Sequence, residues 1–198
     1  MSRLIESIKL QDGMFFNLHY HEQRMMHSLH SLFGKMEVVD LGTLLHCSNF
    51  PPQGLYKCRI IYDSTSHEIT YAPYETRRIQ RIKAVEDDTI VYPFKFEDRG
   101  QINRLFEMRG DCDDVLIICN GKITDCSFSN IVFRKGREWF TPSVPLLEGT
   151  MRQNLLDQNK IQAREIEKND IRSFDGFKII NAMLEFDSPE IEVSHIVF

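Results

Sequence analysis

The pattern of apolar and polar positions predicts a β-rich beginning to the chain. Apolar side chains recur imperfectly along residues 3–10, which indicates a strand. Asp12-Gly13 is a hairpin turn signal, and residues 14–18 are expected to return as a second strand. Further β-rich runs, which predict another hairpin and extensions of the same sheet, occur at residues 55–62, 68–74, 79–85 and 90–92.

Helices are predicted where apolar residues recur three and four positions apart. This spacing covers residues 21–33, and Gly34 ends the helix. Residues 99–109 carry a second apolar helical face, which Gly110 closes. The remaining expected elements are helices at 150–159 and 168–174, and strands at 115–119, 131–133, 177–180 and 191–198.

The mixture of strands and helices predicts an α+β chain with two lobes. Strands outnumber helices in the first third, and the mixture continues after about residue 94. We expect a break between the lobes within residues 86–95 and divide the chain into domains 1–90 and 91–198.

Composition and charge favour a soluble protein with small-molecule partners. Of the 198 residues, 42% are apolar and 27% are charged. The net charge of -5 provides no basic surface for nucleic acid or for an anionic membrane. No apolar run approaches the roughly 20 residues that span a bilayer. The first residues lack the apolar segment of a signal peptide, so we expect a cytoplasmic protein.

Cysteine and histidine spacings do not indicate a metal site or a disulfide framework. The chain has five cysteines, an odd number, and no CxxC pair. Four histidines lie between residues 19 and 30, but no HExxH pattern occurs. We therefore expect no metal.

Lys95 is the first candidate for chemistry. It stands between Phe94 and Phe96 in the stretch VYPFKFEDR. A lysine beside aromatic surface loses hydration, so its pKa can fall, and the neutral amine can attack an aldehyde to form a Schiff base. The alternative is an ordinary lysine that extends past two rings into water.

A second candidate segment, residues 120–130, follows the turn signal Asn120-Gly121. Asp125 could accept a hydrogen bond from a protonated ring nitrogen there. Short polar side chains of the kind that line a pocket follow at Ser127, Ser129 and Asn130. The alternative is an Asx or Ser turn between two strands.

Three further places could bind anions. Gly149-Thr150 precedes a helical run, where backbone N–H groups and the helix dipole favour a phosphate; the alternative is an N-cap by Thr150. Arg24, in HEQR, could clamp a phosphate or pair with Glu22 or another acid. Lys57 and Arg59 alternate along one strand and share a face, which could bind a substrate carboxylate or face water.

The order of these signals resembles that of the fold-type IV pyridoxal-phosphate enzymes. These include class IV aminotransferases, among them branched-chain and D-amino-acid aminotransferases, and aminodeoxychorismate lyase. The stretch DDVLIICNGKITDCSFSNIVF is similar to the family's strand, turn and "ITE-small-small-small-N" segment. TPSVPLLEGTMRQNLL is similar to its "TP…LxGxTR" segment.

The resemblance implies a role for each candidate. Lys95 would be the catalytic Schiff-base lysine. Asp125 stands where the family usually has the glutamate that pairs with the pyridinium nitrogen, and Gly100 where it commonly has a tyrosine. The phosphate would be contacted by Arg24, Gly149, Thr150 and the Asn181-Ala182 loop. The cofactor pocket would be lined by Ser127, Ser129 and Asn130. The substrate carboxylate would be bound by Lys57 or Arg59.

The resemblance also implies fold, cofactor and activity. The fold would be a small N-terminal α/β lobe and a larger C-terminal lobe with a mixed, β-barrel-like sheet, and the protein would be a homodimer. The cofactor would be pyridoxal 5'-phosphate. The activity would be amino-group transfer between an amino acid and a keto acid. Two alternatives stay open: an aminodeoxychorismate lyase that releases pyruvate and 4-aminobenzoate, and a non-catalytic relative that binds the cofactor.

Overall fold

The computed structural model describes residues 3–36 and 38–198, and the chain divides into two compact units. The first unit contains the chain up to Thr76 together with Phe94–Asp98. The second unit contains Arg77–Pro93 and Arg99–Phe198. The division into domains 1–90 and 91–198 stays a prediction, because a domain is defined by its ability to fold alone.

In its described residues, the first unit combines an antiparallel sheet with two helices. The elements are β1 (Leu4–Gln11), β2 (Met14–Phe15), α1 (Leu18–Phe33), α2 (Leu41–His46), β3 (Leu55–Tyr62) and β4 (His67–Pro73). The strand order is β2-β1-β3-β4. The core of this unit lies where apolar side chains of β1 and β3 meet those of the helices, and its buried members are Leu4, Ile8, Met25, Leu41, Leu45, Cys58, Ile60 and Tyr62.

The local sequence explains the turns of the first unit. Asp12 and Gly13 have φ values of 49° and 79°, as the predicted tight hairpin requires. The returning strand is shorter than expected, because Asn17 adopts φ 58° and α1 begins at Leu18. Gly34 ends α1 in the left-handed region, as predicted.

The second unit has two sheets in its described residues. Its elements are β5 (Ile82–Glu86), α3 (Gly100–Glu107), β6 (Asp114–Cys119), β7 (Lys122–Cys126), β8 (Asn130–Lys135), β9 (Glu138–Pro142), α4 (Thr150–Asp157), β10 (Gln162–Arg164), a 3₁₀ helix (Lys168–Ser173), β11 (Gly176–Ile180), β12 (Ile191–Glu192), a 3₁₀ helix (Val193–His195) and β13 (Ile196–Val197). The strand orders are β13-β5-β6-β7 and β10-β9-β8-β11-β12.

Alternation along β8 separates two apolar clusters of the second unit. Ile131 and Phe133 point into the larger cluster, which also contains Leu116 of β6 and Phe177 of β11. Val132 points to the other face, where it packs with α4. This period of two places α4 against the sheet and so fixes the position of its first turn.

The α+β class is confirmed, and several details differ from expectation. The sheets of the second unit are open, whereas a barrel-like lobe was expected. Residues 82–86 pair in parallel with β6 and do not extend the first sheet. Residues 90–92 form no strand, the helix at 168–173 is 3₁₀, and a 3₁₀ turn interrupts the last strand.

Two observations bear on wider classes of protein. None of the helices in the described part of the chain is long and apolar enough to cross a membrane. All five cysteines are free thiols, and three of them, Cys58, Cys112 and Cys126, are buried.

Candidate active site

A β-bulge positions Asp125 at the end of β7. The pairing of β6 with β7 shifts in register, so that Thr124 and Asp125 together oppose Ile117. The Thr124 hydroxyl donates to the Ile117 carbonyl at 2.8 Å, which fixes the bulge. Both Thr124 and Asp125 are buried. Bulges redirect side chains and are frequent next to active sites.

N–H groups of Asn130, Leu146 and Leu147 hold the Asp125 carboxylate. Oδ1 accepts from the Asn130 side-chain amide at 2.7 Å, and Oδ2 accepts from the Leu147 backbone N–H at 2.9 Å. Burial raises the pKa of Asp125 to about 6, although these hydrogen bonds and the charge of Arg152 act against the rise. Each carboxylate oxygen has a second lone pair. At neutral pH the group is therefore a buried anion that can accept a further donor and would be stabilised by a cation.

Asn130 connects Asp125 to the start of α4. Its amide also donates to the Leu147 carbonyl at 2.9 Å. Its Oδ1 lies so close to Gly149 that a Cβ atom there would stand 1.9 Å away, so the approach requires glycine. Gly149 is the N-cap of α4 and Thr150 is its first residue, so the alternative that Thr150 caps the helix is wrong. The first turn of α4 presents backbone N–H groups and the positive end of the dipole, which suit an anion.

The two serines in the loop between β7 and β8, residues 126–129, have different surroundings. The Ser127 hydroxyl donates to the buried Asp114 carboxylate. The Ser129 hydroxyl is buried and, by distance and angle, makes no hydrogen bond in the described part of the chain, although it interacts with the side chain of Cys126. The Cys126 N–H donates to the Ser129 carbonyl at 2.9 Å and closes the loop as a turn. Ser129 can therefore offer its hydroxyl to a ligand, whereas Ser127 is committed to the protein.

Asn181 and Ala182 lie in a half-buried turn after β11. The Asn181 side-chain oxygen accepts from the Met183 N–H at 2.8 Å, and its amide donates to the Phe128 carbonyl at 3.3 Å. The turn thus contacts the loop 126–129. Contacts within the second unit bring together eight of the predicted residues, which are Asp125, Ser127, Ser129, Asn130, Gly149, Thr150, Asn181 and Ala182.

Lys95 belongs to the first unit, where its segment pairs with β1. The Lys95 carbonyl accepts from the Ile5 N–H at 2.8 Å. The rings of Phe94 and Phe96 pack edge to face, 5.9 Å apart, against the core of that unit. The Lys95 side chain is half-buried. Burial lowers the pKa of His21, the hydrogen bond and charge of Glu6 oppose this, and the positive charges of Arg24 and Lys95 add to the lowering, so the Lys95 amine acts electrostatically on that histidine.

Arg24 pairs with a buried acid in the first unit. Its Nε donates to Glu6 Oε1 at 2.9 Å and its Nη2 donates to Glu6 Oε2, while His21 Nδ1 lies 2.6 Å from the same Oε2. Burial would raise the pKa of Glu6, but the charge of Arg24 and the hydrogen bonds from His21 and Arg24 outweigh it and lower the pKa to about 2. Because an ionised carboxylate only accepts, His21 donates from Nδ1. Glu6 thus binds two of the guanidinium nitrogens of Arg24, Nε and Nη2.

Lys57 and Arg59 share one face of β3, as predicted, with the buried Cys58 and Ile60 on the opposite face. The Arg59 guanidinium reaches Glu97 at 3.4 Å. The strand register places Lys9 directly opposite Lys57. Like charges in opposed positions repel each other, so a bound anion would stabilise this face.

Two candidate functional residues, Glu6 and Asp114, were not identified from the sequence patterns. Glu6 occupies a core-facing position of β1, and a charge at such a position could have signalled a buried ion pair. Asp114 stands at the head of a buried strand, but its contact with Ser127 depends on the pairing of β6 with β7. In the described residues, no group of three or more His, Cys, Asp or Glu side chains is arranged to hold a metal ion.

Comparison with known proteins identifies relatives of the whole chain. The family model for amino-transferase class IV matches residues 102–186. A protein of Haemophilus influenzae without an assigned function is 40% identical over 185 residues, which cover 92% of this chain and 98% of that protein. A Haemophilus somnus crystal structure, provisionally named a 4-amino-4-deoxychorismate lyase, is 39% identical with a TM-score of 0.87, over 92% of this chain and 97% of that one.

The fold also extends to distant relatives. A structure from Mesorhizobium loti, provisionally named an amino-acid aminotransferase, superposes with a TM-score of 0.79 at 17% identity and covers 100% of both chains. At this identity the likeness concerns the fold alone. The extensive similarity to the two Haemophilus proteins, together with the match over residues 102–186, shows that this chain belongs to the class IV aminotransferase family.

Proposed function

We propose that the protein is a pyridoxal-phosphate-dependent aminotransferase that moves an amino group between an amino acid and a keto acid. The observation that carries the proposal is the buried Asp125 carboxylate, held beside the glycine entrance of α4 within the family's sequence segment. A buried acid with a pKa of about 6 suits a ligand that brings a ring nitrogen able to carry a proton.

The residues of the second unit fit such a ligand. The Ser129 hydroxyl is buried and makes no hydrogen bond to oxygen or nitrogen in the described residues, and the first turn of α4 presents N–H groups to a phosphate. Asp125 has a shorter side chain than the family's usual glutamate, and it lies at the bulge of β7, where its carboxylate is buried. We expect Asp125 to hold the proton on the ring nitrogen, and Gly149, Thr150 and the Asn181-Ala182 turn to contact the phosphate.

The residues of the first unit would supply the amine and further charge. Lys95 is proposed to bind the cofactor aldehyde and, once released, to move the proton of the substrate Cα. Arg24, whose Nε and Nη2 donate to Glu6, would bind the phosphate through its guanidinium. Lys57 or Arg59 would bind the substrate carboxylate.

Bound pyridoxal phosphate supplies an aldehyde and an electron-accepting ring. The chain supplies the proton transfers and the charges. Asp125, ionised above pH about 6, would keep the ring nitrogen protonated. Lys95 is the base that removes the Cα proton and the acid that returns it.

A second candidate function is an aminodeoxychorismate lyase, which the Haemophilus somnus relative at 39% identity favours. The two activities share the cofactor residues and differ in the fate of the substrate. A lyase releases pyruvate without any amino acceptor. An aminotransferase needs an added keto acid to turn over.

The experiment is an absorbance spectrum of the purified protein with pyridoxal phosphate, followed by candidate amino donors. A band near the visible edge that one amino acid shifts, with turnover dependent on a keto acid, supports the aminotransferase. Pyruvate formed from aminodeoxychorismate without a keto acid supports the lyase. Binding of the cofactor with no change on any donor would identify a non-catalytic relative and overturn both.

We also propose a cytoplasmic homodimer. The supporting observations are that no helix in the described residues can cross a membrane and that the family resemblance implies a homodimer. Sedimentation of the protein loaded with cofactor tests the dimer.

A further inference from the structure

The loop 126–129 is held by contacts on nearly every polar group of Ser127. Asp114 is 3% exposed, and its Oδ1 accepts from the Ser127 N–H at 3.3 Å and from the Ser127 hydroxyl. The same oxygen accepts from the Val115 N–H at 2.7 Å, which fixes the carboxylate at the head of β6. The loop is thereby tied to the strand that lies beside β7.

Arg99 holds the other side of the same residue. Its guanidinium donates to the Ser127 carbonyl and lies 4.2 Å from the centre of the Phe128 ring. The Phe106 ring packs edge-on against Phe128 at 5.4 Å. Ser127 is thus bound at its N–H and hydroxyl by Asp114 and at its carbonyl by Arg99.

These contacts determine which of the two serine hydroxyls can donate a hydrogen bond to a ligand. A hydroxyl has one hydrogen, and the Ser127 hydrogen points at Asp114 Oδ1, because this oxygen also accepts from the backbone N–H groups of Val115 and Ser127 and is therefore an acceptor. Ser127 therefore cannot donate to a phosphate or to a ring oxygen. The Ser129 hydroxyl, two residues later, interacts with the Cys126 thiol, a weak partner that can itself donate, and so can give its hydrogen to a ligand. The turn that joins them, closed by the Cys126 N–H to the Ser129 carbonyl, transmits the position of Ser127 to Ser129.

We propose that Asp114 and Arg99 are positioning residues that clamp Ser127, so that Ser129 and not Ser127 donates a hydrogen bond to the cofactor. The inference rests on the proposed function, since it names the loop residue that meets pyridoxal phosphate. The clamp acts through the loop, and neither Asp114 nor Arg99 touches the cofactor.

The test measures the Kd for pyridoxal phosphate by absorbance titration of the full chain. Ser129→Ala should weaken binding on the order of tenfold, the effect of one hydrogen bond to a charged group. Asp114→Asn should weaken it by a similar factor, and Ser127→Ala added to Asp114→Asn should change nothing further. Ser129→Ala added to Asp114→Asn should likewise add less than its full effect, because the unclamped serine has already lost its position.

Asp113→Asn is the matched control. Asp113 is the neighbouring carboxylate, and it accepts from the backbone N–H groups of Gln80 and Arg81, away from the loop. It should leave the Kd unchanged. If Asp114→Asn fails to fold, the Kd for pyridoxal phosphate is measured with Arg99→Lys and Ser127→Ala instead, since each variant weakens one side of the clamp.

The outcomes separate the inference from the proposed function. Wild-type protein that binds no pyridoxal phosphate overturns the proposed function. Wild-type protein that binds it, with Asp114→Asn, Arg99→Lys and Ser127→Ala equally tight, overturns the clamp. A Ser127→Ala variant that loses binding in the presence of Asp114→Asn would show that Ser127 itself donates, which also overturns it.

Discussion

The buried Asp125 should make the apoprotein less stable as the pH rises. The perturbation is Asp125→Asn, which removes the ionisation and keeps the size of the side chain. The quantity of interest is the difference in unfolding free energy between wild type and variant, followed with pH. Because the variant lacks this one titration, the contributions of all other groups cancel in the difference.

The size of the effect follows from the folded and unfolded pKa values. The pKa of an aspartate side chain, ordinarily 3.8, rises to about 6 at Asp125 in the folded chain, because burial outweighs the hydrogen bonds from Leu147 and Asn130. The difference of about 2 between the unfolded and folded pKa values, at about 1.4 kcal/mol for each factor of ten in the proton equilibrium, corresponds to about 3 kcal/mol. Since the folded pKa is raised, this stability is present below pH about 4 and is lost as the pH rises through about 6.

The assay is urea unfolding of the apoprotein at a series of pH values, followed by fluorescence. The chain has one tryptophan, Trp139, and it lies in the second unit with Asp125. The wild-type minus variant difference should fall by about 3 kcal/mol between pH about 4 and pH about 7. Added pyridoxal phosphate should reduce this fall, because a protonated ring nitrogen would stabilise the anion. A difference that stays flat or grows across this range would refute the burial argument.

Two further substitutions test other contacts. Glu6→Gln should lower the unfolding free energy by about 3 kcal/mol in a urea titration, because it leaves the largely buried Arg24 without its counter-charge; Glu68→Gln, in an exposed pair with Arg3, should have no measurable effect, and equal losses would contradict the account. Gly149→Ala should lower the melting temperature and weaken binding of pyridoxal phosphate, because the added Cβ would lie 1.9 Å from Asn130 and overpacking costs about 1–3 kcal/mol. An unchanged melting temperature would show that the Asn130 side chain moves aside with no loss of stability.

Elements with strong local signals were predictable from the sequence. The hairpin at Asp12-Gly13, the end of α1 at Gly34 and the helix at 150–157 depend on turn residues and apolar spacing, which are local properties. The predicted sheet partner of β5 was wrong. β5 pairs in parallel with β6, which follows α3 in the chain, and periodicity carries no information about strand pairing over that distance.

The candidate site was predictable as a set of residue types and much less as a set of contacts. The sequence indicated Asp125, Asn130 and Gly149, and the structure places them together. It could not indicate that Ser127 is taken by Asp114, because the two stand 13 residues apart and meet only through strand pairing. The bulge that turns Asp125 inward likewise depends on how β6 and β7 align.

The central claim is that Lys95 carries the cofactor. The measurement is borohydride reduction of the protein with pyridoxal phosphate, which makes an imine between lysine and aldehyde permanent, followed by peptide mass spectrometry. We predict a phosphopyridoxyl group on Lys95, absent from a Lys95→Arg variant and retained in a Lys57→Arg control. Modification of another lysine, or an unmodified Lys95 in protein that binds the cofactor, would contradict the account.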